Sequence, residues 1–189
     1  MTEDMVRRYM DPYVEDLCGQ GSGVRRLLLL DRDGIINRDH GYVHLVSQTE
    51  WMDGIFDYVA RASLEGWKAV VVTNQAGIAR GYYSEAQFLA YTAWMHEQFR
   101  CKGVPLLATF YCPHHPEHGL APWKRNCVCR KPAPGMVLAA MRAFGSSPSE
   151  TMLVGDKDTD LESGREAGLT KLLKVEGSAI PAWPKSPLI

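Results

Sequence analysis

The sequence predicts an α/β fold, a parallel sheet covered by helices on both faces, and three features point to it. Short apolar runs end abruptly in polar residues: Leu27-Leu28-Leu29-Leu30 stops at Asp31-Arg32-Asp33-Gly34, Ala69-Val70-Val71-Val72 at Thr73-Asn74-Gln75, and Thr151-Met152-Leu153-Val154 at Gly155-Asp156. Helical patterns lie between these runs. Strand and helix therefore alternate, which favours parallel pairing. A strand apolar at every position has no solvent face, so it belongs inside a sheet with helices above and below.

Taken in order, residues 1–24 mix charges without a steady period and run into Gly19-Gln20-Gly21-Ser22-Gly23. They read as an irregular or partly helical extension ahead of a single domain over 25–189, since 189 residues suit one full core. After the second strand, Ser84 and Gln87 fit a capping box, and Phe88, Tyr91, Met95 and Phe99 form one apolar stripe at helical spacing. Phe110-Tyr111 and Leu172-Leu173-Lys174-Val175 read as further strands. Pro134 can open a helix that ends near Gly145, and the stretch from Asp160 to Ala167 can close at Gly168. Neither an internal repeat nor a low-complexity segment interrupts this order.

Composition bounds the function. A net charge of −1 with 46% hydrophobic and 23% charged residues describes an ordinary globular protein and gives no electrostatic case for nucleic acid or an anionic membrane. Apolar runs fall short of a membrane span, and the opening residues lack the apolar core of a secretory signal. A cytoplasmic protein is expected, acting as a monomer on a small molecule. Cys112, Cys127 and Cys129 fall in one Pro-rich segment while Cys18 and Cys101 stand apart, and in a reducing compartment such clustering suggests a metal more than disulfides.

In a parallel sheet the ligand crevice lies beyond the carboxyl ends of the strands. Asp31, Asp33, Thr73 and Asp156 are all placed there by that rule. A carboxylate at Asp31 can attack phosphorus and carry an acyl phosphate, and Asp33, two residues on, can protonate the leaving oxygen and later take a proton from water. Crowded carboxylates beside a phosphate call for a cation. Mg2+ suits, with Asp31 and Asp156 as side-chain ligands, while the Thr73 hydroxyl and the Lys131 ammonium can hold the charge of the transferred group. Any one of these aspartates alone could as well cap a helix or form a turn. Four such elements in one order are poorly explained by chance.

The ordered set DRDG, TNQ, RKP and GD resembles the haloacid dehalogenase (HAD) superfamily of phosphatases from about Leu27 to Val175. The resemblance implies a Rossmann-like domain of HAD type without a large cap. It also implies Asp31 as nucleophile, Asp33 as acid and base, Thr73 and Lys131 as phosphate stabilisers, and magnesium on Asp31, Asp156 and the main-chain carbonyl of Asp33. Longer strings, DRDGIINRDHGYVH (31–44), VVTNQAGIARG (71–81), YCPHHP (111–116), CVCRKPAPGM (127–136) and VGDK (154–157), resemble the branch that removes the 7-phosphate of D-glycero-D-manno-heptose 1,7-bisphosphate. That branch serves nucleotide-activated heptose for lipopolysaccharide or other surface glycans, which implies a bacterial source and a phosphorylated sugar as substrate. By the same resemblance Asp39, His40, Gly41, Tyr42, Asn74, Gln75, Ala76, Arg130 and Lys157 border the substrate. Ile35 and Ala76 stand where the family often has Thr and Ser. Two alternatives stay open: a histidinol-phosphate phosphatase, which shares DRDG, TNQ and the cysteines, and a catalytically inactive phosphosugar-binding domain.

The cysteine segment reads Cys-x-His, a Pro-rich interval, then Cys-x-Cys. Three thiolates and an imidazole suit tetrahedral zinc at a structural site, although free thiols or a redox pair fit the spacing too, and His115 and His118 rival His114. The resemblance implies zinc on Cys112, His114, Cys127 and Cys129, stapling a loop that runs directly into Arg130 and Lys131.

Overall fold

Leu27, Leu28, Leu29 and Leu30 are all fully buried, and their side chains leave the strand on alternate faces. Leu28 and Leu30 join one cluster with Tyr58, Val59, Met95 and Phe99. Leu27 and Leu29 join another with Met136, Val137 and Phe144. Each such burial is worth about 2 kcal/mol relative to exposure, so the run anchors the layers above and below it. The computed structural model describes residues 6–13 and 26–184.

Among the described residues the sheet has six strands, β1 (Arg7–Met10), β2 (Arg26–Leu30), β3 (Trp67–Asn74), β4 (Leu106–Cys112), β5 (Thr151–Gly155) and β6 (Lys171–Lys174), in the order β1-β4-β3-β2-β5-β6. Helices α1 (Ile55–Leu64) and α3 (Glu85–Cys101) cover the first face, and α4 (Gly135–Phe144) covers the second. Helix α5 (Asp158–Glu166) packs beside α4, with Gly164 so close to Leu172 and Leu153 that a Cβ would stand 2.5 Å from Leu172. The one-turn α2 (Ala76–Ala79) follows β3 directly.

Local signals in the sequence account for the helix ends. Ser84 Oγ accepts from the Gln87 amide at 3.2 Å and Gln87 Oε1 from the Ser84 amide at 2.8 Å, the reciprocal cap that starts α3. Gly145 takes φ 67°, the left-handed cap that ends α4. The helix expected from Asp160 begins two residues earlier, at Asp158, and Asp160 sits in its first turn.

The N-terminal extension departs from expectation. The sequence pattern predicts an irregular or partly helical course for residues 7–10, and instead they form β1, which pairs antiparallel with β4 (Arg7 opposite Tyr111, Met10 opposite Ala108). The sheet is therefore mixed, with five parallel strands and one antiparallel edge. Arg-Arg-Tyr-Met has no apolar run because an edge strand keeps most of its surface in water. Residues 1–5 and 14–25, with Cys18, lie outside the described residues.

A buried polar contact follows this edge strand. Asp11 Oδ2 lies 3.1 Å from His96 Nδ1, and His96 Nε2 lies 2.9 Å from Thr109 Oγ1, which ties the segment after β1 to α3 and β4. Arg100 Nη1 reaches Asp11 Oδ1 at 3.4 Å. Burial pushes the His96 pKa down to about 4 against the opposing pull of Asp11. Between about 6.5, the ordinary histidine value, and that depressed value the unfolded chain binds a proton that the folded chain refuses. The His96 contribution is thus complete above pH 6.5 and is lost as the pH falls toward 4. Urea unfolding at pH 7 and pH 5 should show a stability drop that shrinks in His96→Gln; an equal drop in both proteins would remove His96 as its source.

Candidate active site

The chain runs outward from β2 to β3 and β4, then returns to the other side of β2 as β5 and β6. That reversal opens a crevice beyond the carboxyl ends of β2 and β5. Asp31 follows β2 directly and Asp156 follows β5, and the Asp31 amide still donates to Val154 O at 3.0 Å.

Lys131 closes the bottom of this crevice. Its ammonium reaches Asp31 Oδ1 at 2.9 Å, Asp160 Oδ1 at 2.6 Å and the carbonyl of Val72 at 2.9 Å, so all three protons are used. The backbone of Lys131 is fixed by one side chain: its amide donates to Asn74 Oδ1 at 3.0 Å, and Asn74 Nδ2 donates to its carbonyl at 3.1 Å. Burial opposes the lysine charge, but Asp31 and Asp160 outweigh it and hold its pKa above the ordinary value. Burial also pushes the Asp31 pKa up to about 7, reinforced by Asp160 and Asp33 and resisted by Lys131.

The fit to a divalent cation rests on this geometry. Asp31, Asp156 and Asp160 each offer a carboxylate oxygen, all within 4.8 Å of one another. Asp156 Oδ1 is buried without a hydrogen-bond partner, an expensive state for a carboxylate unless a cation completes it. Gly34 makes the close approach possible. It takes φ 92°, and a Cβ there would stand 2.4 Å from Asp156 Oδ2.

Asp33 faces a different set of groups. Arg32 Nε and Nη2 donate to its Oδ1 at 3.1 and 2.9 Å, Asn37 Nδ2 donates at 3.0 Å, and Gln75 Nε2 donates to Oδ2 at 3.2 Å. The same Gln75 nitrogen donates to Thr73 Oγ1 at 2.8 Å, so one amide links the two residues. Gln75 in turn donates its backbone N–H to the Cys112 carbonyl at 2.7 Å.

The expected substrate-facing residues divide by environment. Asp39 and Lys157 pair at 2.9 Å across the crevice, and Lys157 Nζ stands 3.9 Å from Asp156 Oδ2. A cleft of about 620 Å³ runs from Gly34 and Asp156 past Asp39 and His40 to Lys174 and Ser178. Gly41 and Tyr42 both take positive φ, 77° and 57°, which turns the Tyr42 ring outward against Tyr82 at 4.6 Å. His40 pairs with Glu50 at 3.0 Å, and Ala76 opens α2. The Asn74 side chain is committed to Lys131, and Arg130 Nη1 donates to the His114 carbonyl at 3.2 Å.

Cys112, His114, Cys127 and Cys129 converge. The three sulfurs lie 3.1 to 3.5 Å apart, and His114 Nδ1 stands 3.3 Å from Cys129 Sγ and 3.7 Å from Cys112 Sγ. Bonds of about 2.3 Å to a tetrahedral zinc put neighbouring sulfurs roughly 3.8 Å apart, so the four could hold such an ion after a small outward shift. His115 is turned away, its Nδ1 accepting from the amides of Glu117 and His118 at 3.1 and 3.0 Å.

The chain is similar to proteins of known family. Residues 128–186 match the HAD-hydrolase-like family model. The D-glycero-alpha-D-manno-heptose-1,7-bisphosphate 7-phosphatase of Burkholderia mallei is 45% identical over 79% of each chain. The beta-anomer enzyme of Vibrio cholerae is 44% identical over 81% of this chain and 83% of its own. The chain belongs to the heptose-1,7-bisphosphate 7-phosphatase family. A solved member from B. bronchiseptica, complexed with magnesium and phosphate, superposes with a TM-score of 0.69 at 34% identity over 78% of this chain and 79% of that one.

One residue of this phosphatase site is not found by sequence reasoning. The sequence pattern presents Asp160 only as a helix start, yet it is 1% exposed and holds Lys131. Its signal was present: four residues after Asp156 on a helix that starts at a strand end, it must return to the same crevice. Gly155 leaves room for it, since a Cβ there would stand 2.3 Å from Asp160 Cβ.

Gly34→Ala tests the close approach. The strained φ should cost about 1–2 kcal/mol of stability, leaving the protein folded, while displacement of Asp156 should raise the Mg2+ concentration needed for half-maximal activity severalfold. Unchanged metal dependence would show that Asp156 needs no such proximity.

Proposed function

We propose that this chain hydrolyses the 7-phosphate of D-glycero-D-manno-heptose 1,7-bisphosphate through a phosphoaspartate on Asp31. The observation that carries the reading is the Lys131 ammonium 2.9 Å from Asp31 Oδ1, at the floor of a crevice where the carboxylates of Asp160 and Asp156 also gather, the latter with an unpartnered oxygen. Asp31 attacks phosphorus and the bond to the C7 oxygen breaks, with Asp33 delivering the proton that this oxygen needs to leave. Asp33 then takes a proton from the water that cleaves the acyl phosphate, which restores Asp31 and frees inorganic phosphate. The Lys131 charge beside Asp31 and the Thr73 hydroxyl stabilise the oxygens of the transferred group. Asp31, Asp156 and the main-chain carbonyl of Asp33 would hold magnesium, which would supply the charge that lets an anionic phosphate approach these carboxylates.

The cleft beyond Asp156, lined by Asp39 and His40, would take the sugar, with Gly41, Tyr42, Gln75, Ala76, Arg130 and Lys157 as the further contacts that the family resemblance implies. The product would feed nucleotide-activated heptose for lipopolysaccharide or another surface glycan. A cytoplasmic setting keeps Cys112, Cys127 and Cys129 reduced for zinc, and zinc there is structural: four protein ligands close the shell and fix the loop that presents Arg130 and Lys131.

Asp31→Asn should lose turnover while remaining folded, and beryllofluoride should add to Asp31 in the unmodified protein. A panel of both heptose bisphosphate anomers and histidinol phosphate should show a heptose bisphosphate as the preferred substrate. Preference for histidinol phosphate would overturn the substrate, and capture of the mimic on Asp33 would overturn the nucleophile.

The metals should separate because hard oxygen ligands select magnesium and thiolates select zinc. Mild EDTA treatment should abolish activity that Mg2+ alone restores, while elemental analysis still finds about one zinc per chain. Folded and active protein without zinc would remove the structural role.

A further inference from the structure

Arg32 lies between the two catalytic aspartates, and the proposed reaction gives it no part. It is 0% exposed and packs its guanidinium over the rings of Phe88 and Tyr91, at 5.8 and 5.3 Å. Stability alone does not explain such a residue, because a buried ion pair is often no more stable than an apolar pair of equal volume. Its donors are arranged with purpose. Nε and Nη2 hold Oδ1 of Asp33, Nη2 also holds Oδ2 at 2.8 Å, and the same Nη2 donates to the carbonyl of Val43 at 2.6 Å. One guanidinium nitrogen therefore touches both the acid–base carboxylate and the loop that carries Asp39 to Tyr42.

A second route joins the same two places. Gln75 Nε2 donates to Asp33 Oδ2, the Tyr83 hydroxyl donates to Gln75 Oε1 at 2.6 Å, and the Tyr83 ring stacks on His44 at 4.6 Å and 20°. Val43 and His44 are neighbours, so both routes end in one stretch of the loop. Arg32 Nη1 is buried without a partner, which leaves a spare donor if the carboxylate turns.

We propose that Arg32 is a positioning residue that ties the carboxylate of Asp33 to the substrate loop through Val43, so that the loop's seating on a sugar phosphate sets where Asp33 points. The inference rests on the acid–base role given above to Asp33. In the present arrangement Asp33 is surrounded by Arg32, Asn37 and Gln75, and must exchange one of these donors to reach a leaving oxygen. The Arg32 fork defines the path of that exchange because it grips both oxygens at once.

The test uses leaving groups. A sugar alkoxide needs a proton to depart, whereas p-nitrophenolate does not, and kcat/KM reports only the steps up to that departure. Arg32→Lys keeps the charge and loses the fork. Its kcat/KM should fall for the heptose bisphosphate at least about tenfold more than for p-nitrophenyl phosphate, a fraction of the roughly 100-fold or more that general acid catalysis supplies. With the aryl substrate a burst of p-nitrophenol should precede slow turnover, since Asp33 also serves the second half. Tyr83→Phe, which cuts only the second route, should shift the ratio in the same direction by less. Equal losses on both substrates in Arg32→Lys would mean a merely structural residue and overturn the proposal. If Arg32→Lys fails to fold, Arg32→Gln, which also loses the fork, is read in its place, and an unchanged ratio overturns the proposal. Asp33→Asn keeps the two failures apart: if it leaves the ratio unchanged, the acid–base reading of Asp33 is what fails, and if it alters the ratio while Arg32→Lys does not, only the positioning role is lost.

Discussion

A buried ammonium holds the site together. Lys131 is 3% exposed and reaches Asp31, Asp160 and the Val72 carbonyl, groups that belong to β2, α5 and β3 respectively or directly follow them. An ion removed from water in this way costs several kcal/mol unless its partners are well placed, and deleting one partner of such a pair typically costs about 3–5 kcal/mol. The three elements must therefore meet at fixed distances before the charge is tolerable. Their packing is what the parallel sheet and its two helical layers secure. The chemistry inherits its geometry from that requirement.

The loop ahead of Lys131 meets the same demand from the other side. Cys129 is fully buried, and Gly135, just past the lysine, lies so close to Val128 that a Cβ would stand 2.3 Å from its carbonyl. Asn74 clamps the lysine backbone from the end of β3, and the next residue, Gln75, bonds to the carbonyl of Cys112. The Cys/His cluster and Lys131 are thus two ends of one closely held segment. Cys129 and Lys131 are separated by Arg130 alone, so whatever fixes the cluster also limits where the lysine backbone can run.

Much of this was legible in the sequence because burial on both faces leaves a plain mark. Four successive leucines before Asp31 and four apolar residues before Thr73 placed the strands, and the strand ends placed the carboxylates. β1 left no such mark, since an edge strand of Arg-Arg-Tyr-Met hides little from water and is held by a buried Asp11–His96 contact 85 positions apart in sequence. Asp160 was hidden for a different reason. An aspartate in the first turn of a helix has an adequate local explanation, and its more consequential partner, Lys131, cannot be inferred from spacing. The family resemblance sets Asn74 against the substrate, and only the course of the loop shows that its amide is occupied by the Lys131 backbone.

The two aspartates of Asp31-Arg32-Asp33 show how adjacent groups acquire different tasks. Both emerge at the end of one strand, so sequence position alone cannot separate them. Asp31 turns toward Lys131, Asp160 and Asp156, where a cation is called for, while Asp33 turns toward Arg32, Asn37 and Gln75. Each carboxylate is drawn to its own fixed cation, Lys131 on one side and Arg32 on the other, and the two cations come from different parts of the chain. Like charges this close would otherwise share one environment and compete for one proton. The division leaves Asp31 among the carboxylates that could hold a cation and Asp33 on the side of the loop that carries Val43, and in the reaction proposed above, in a site with no large cap, that loop is the part of the protein placed to respond to the sugar.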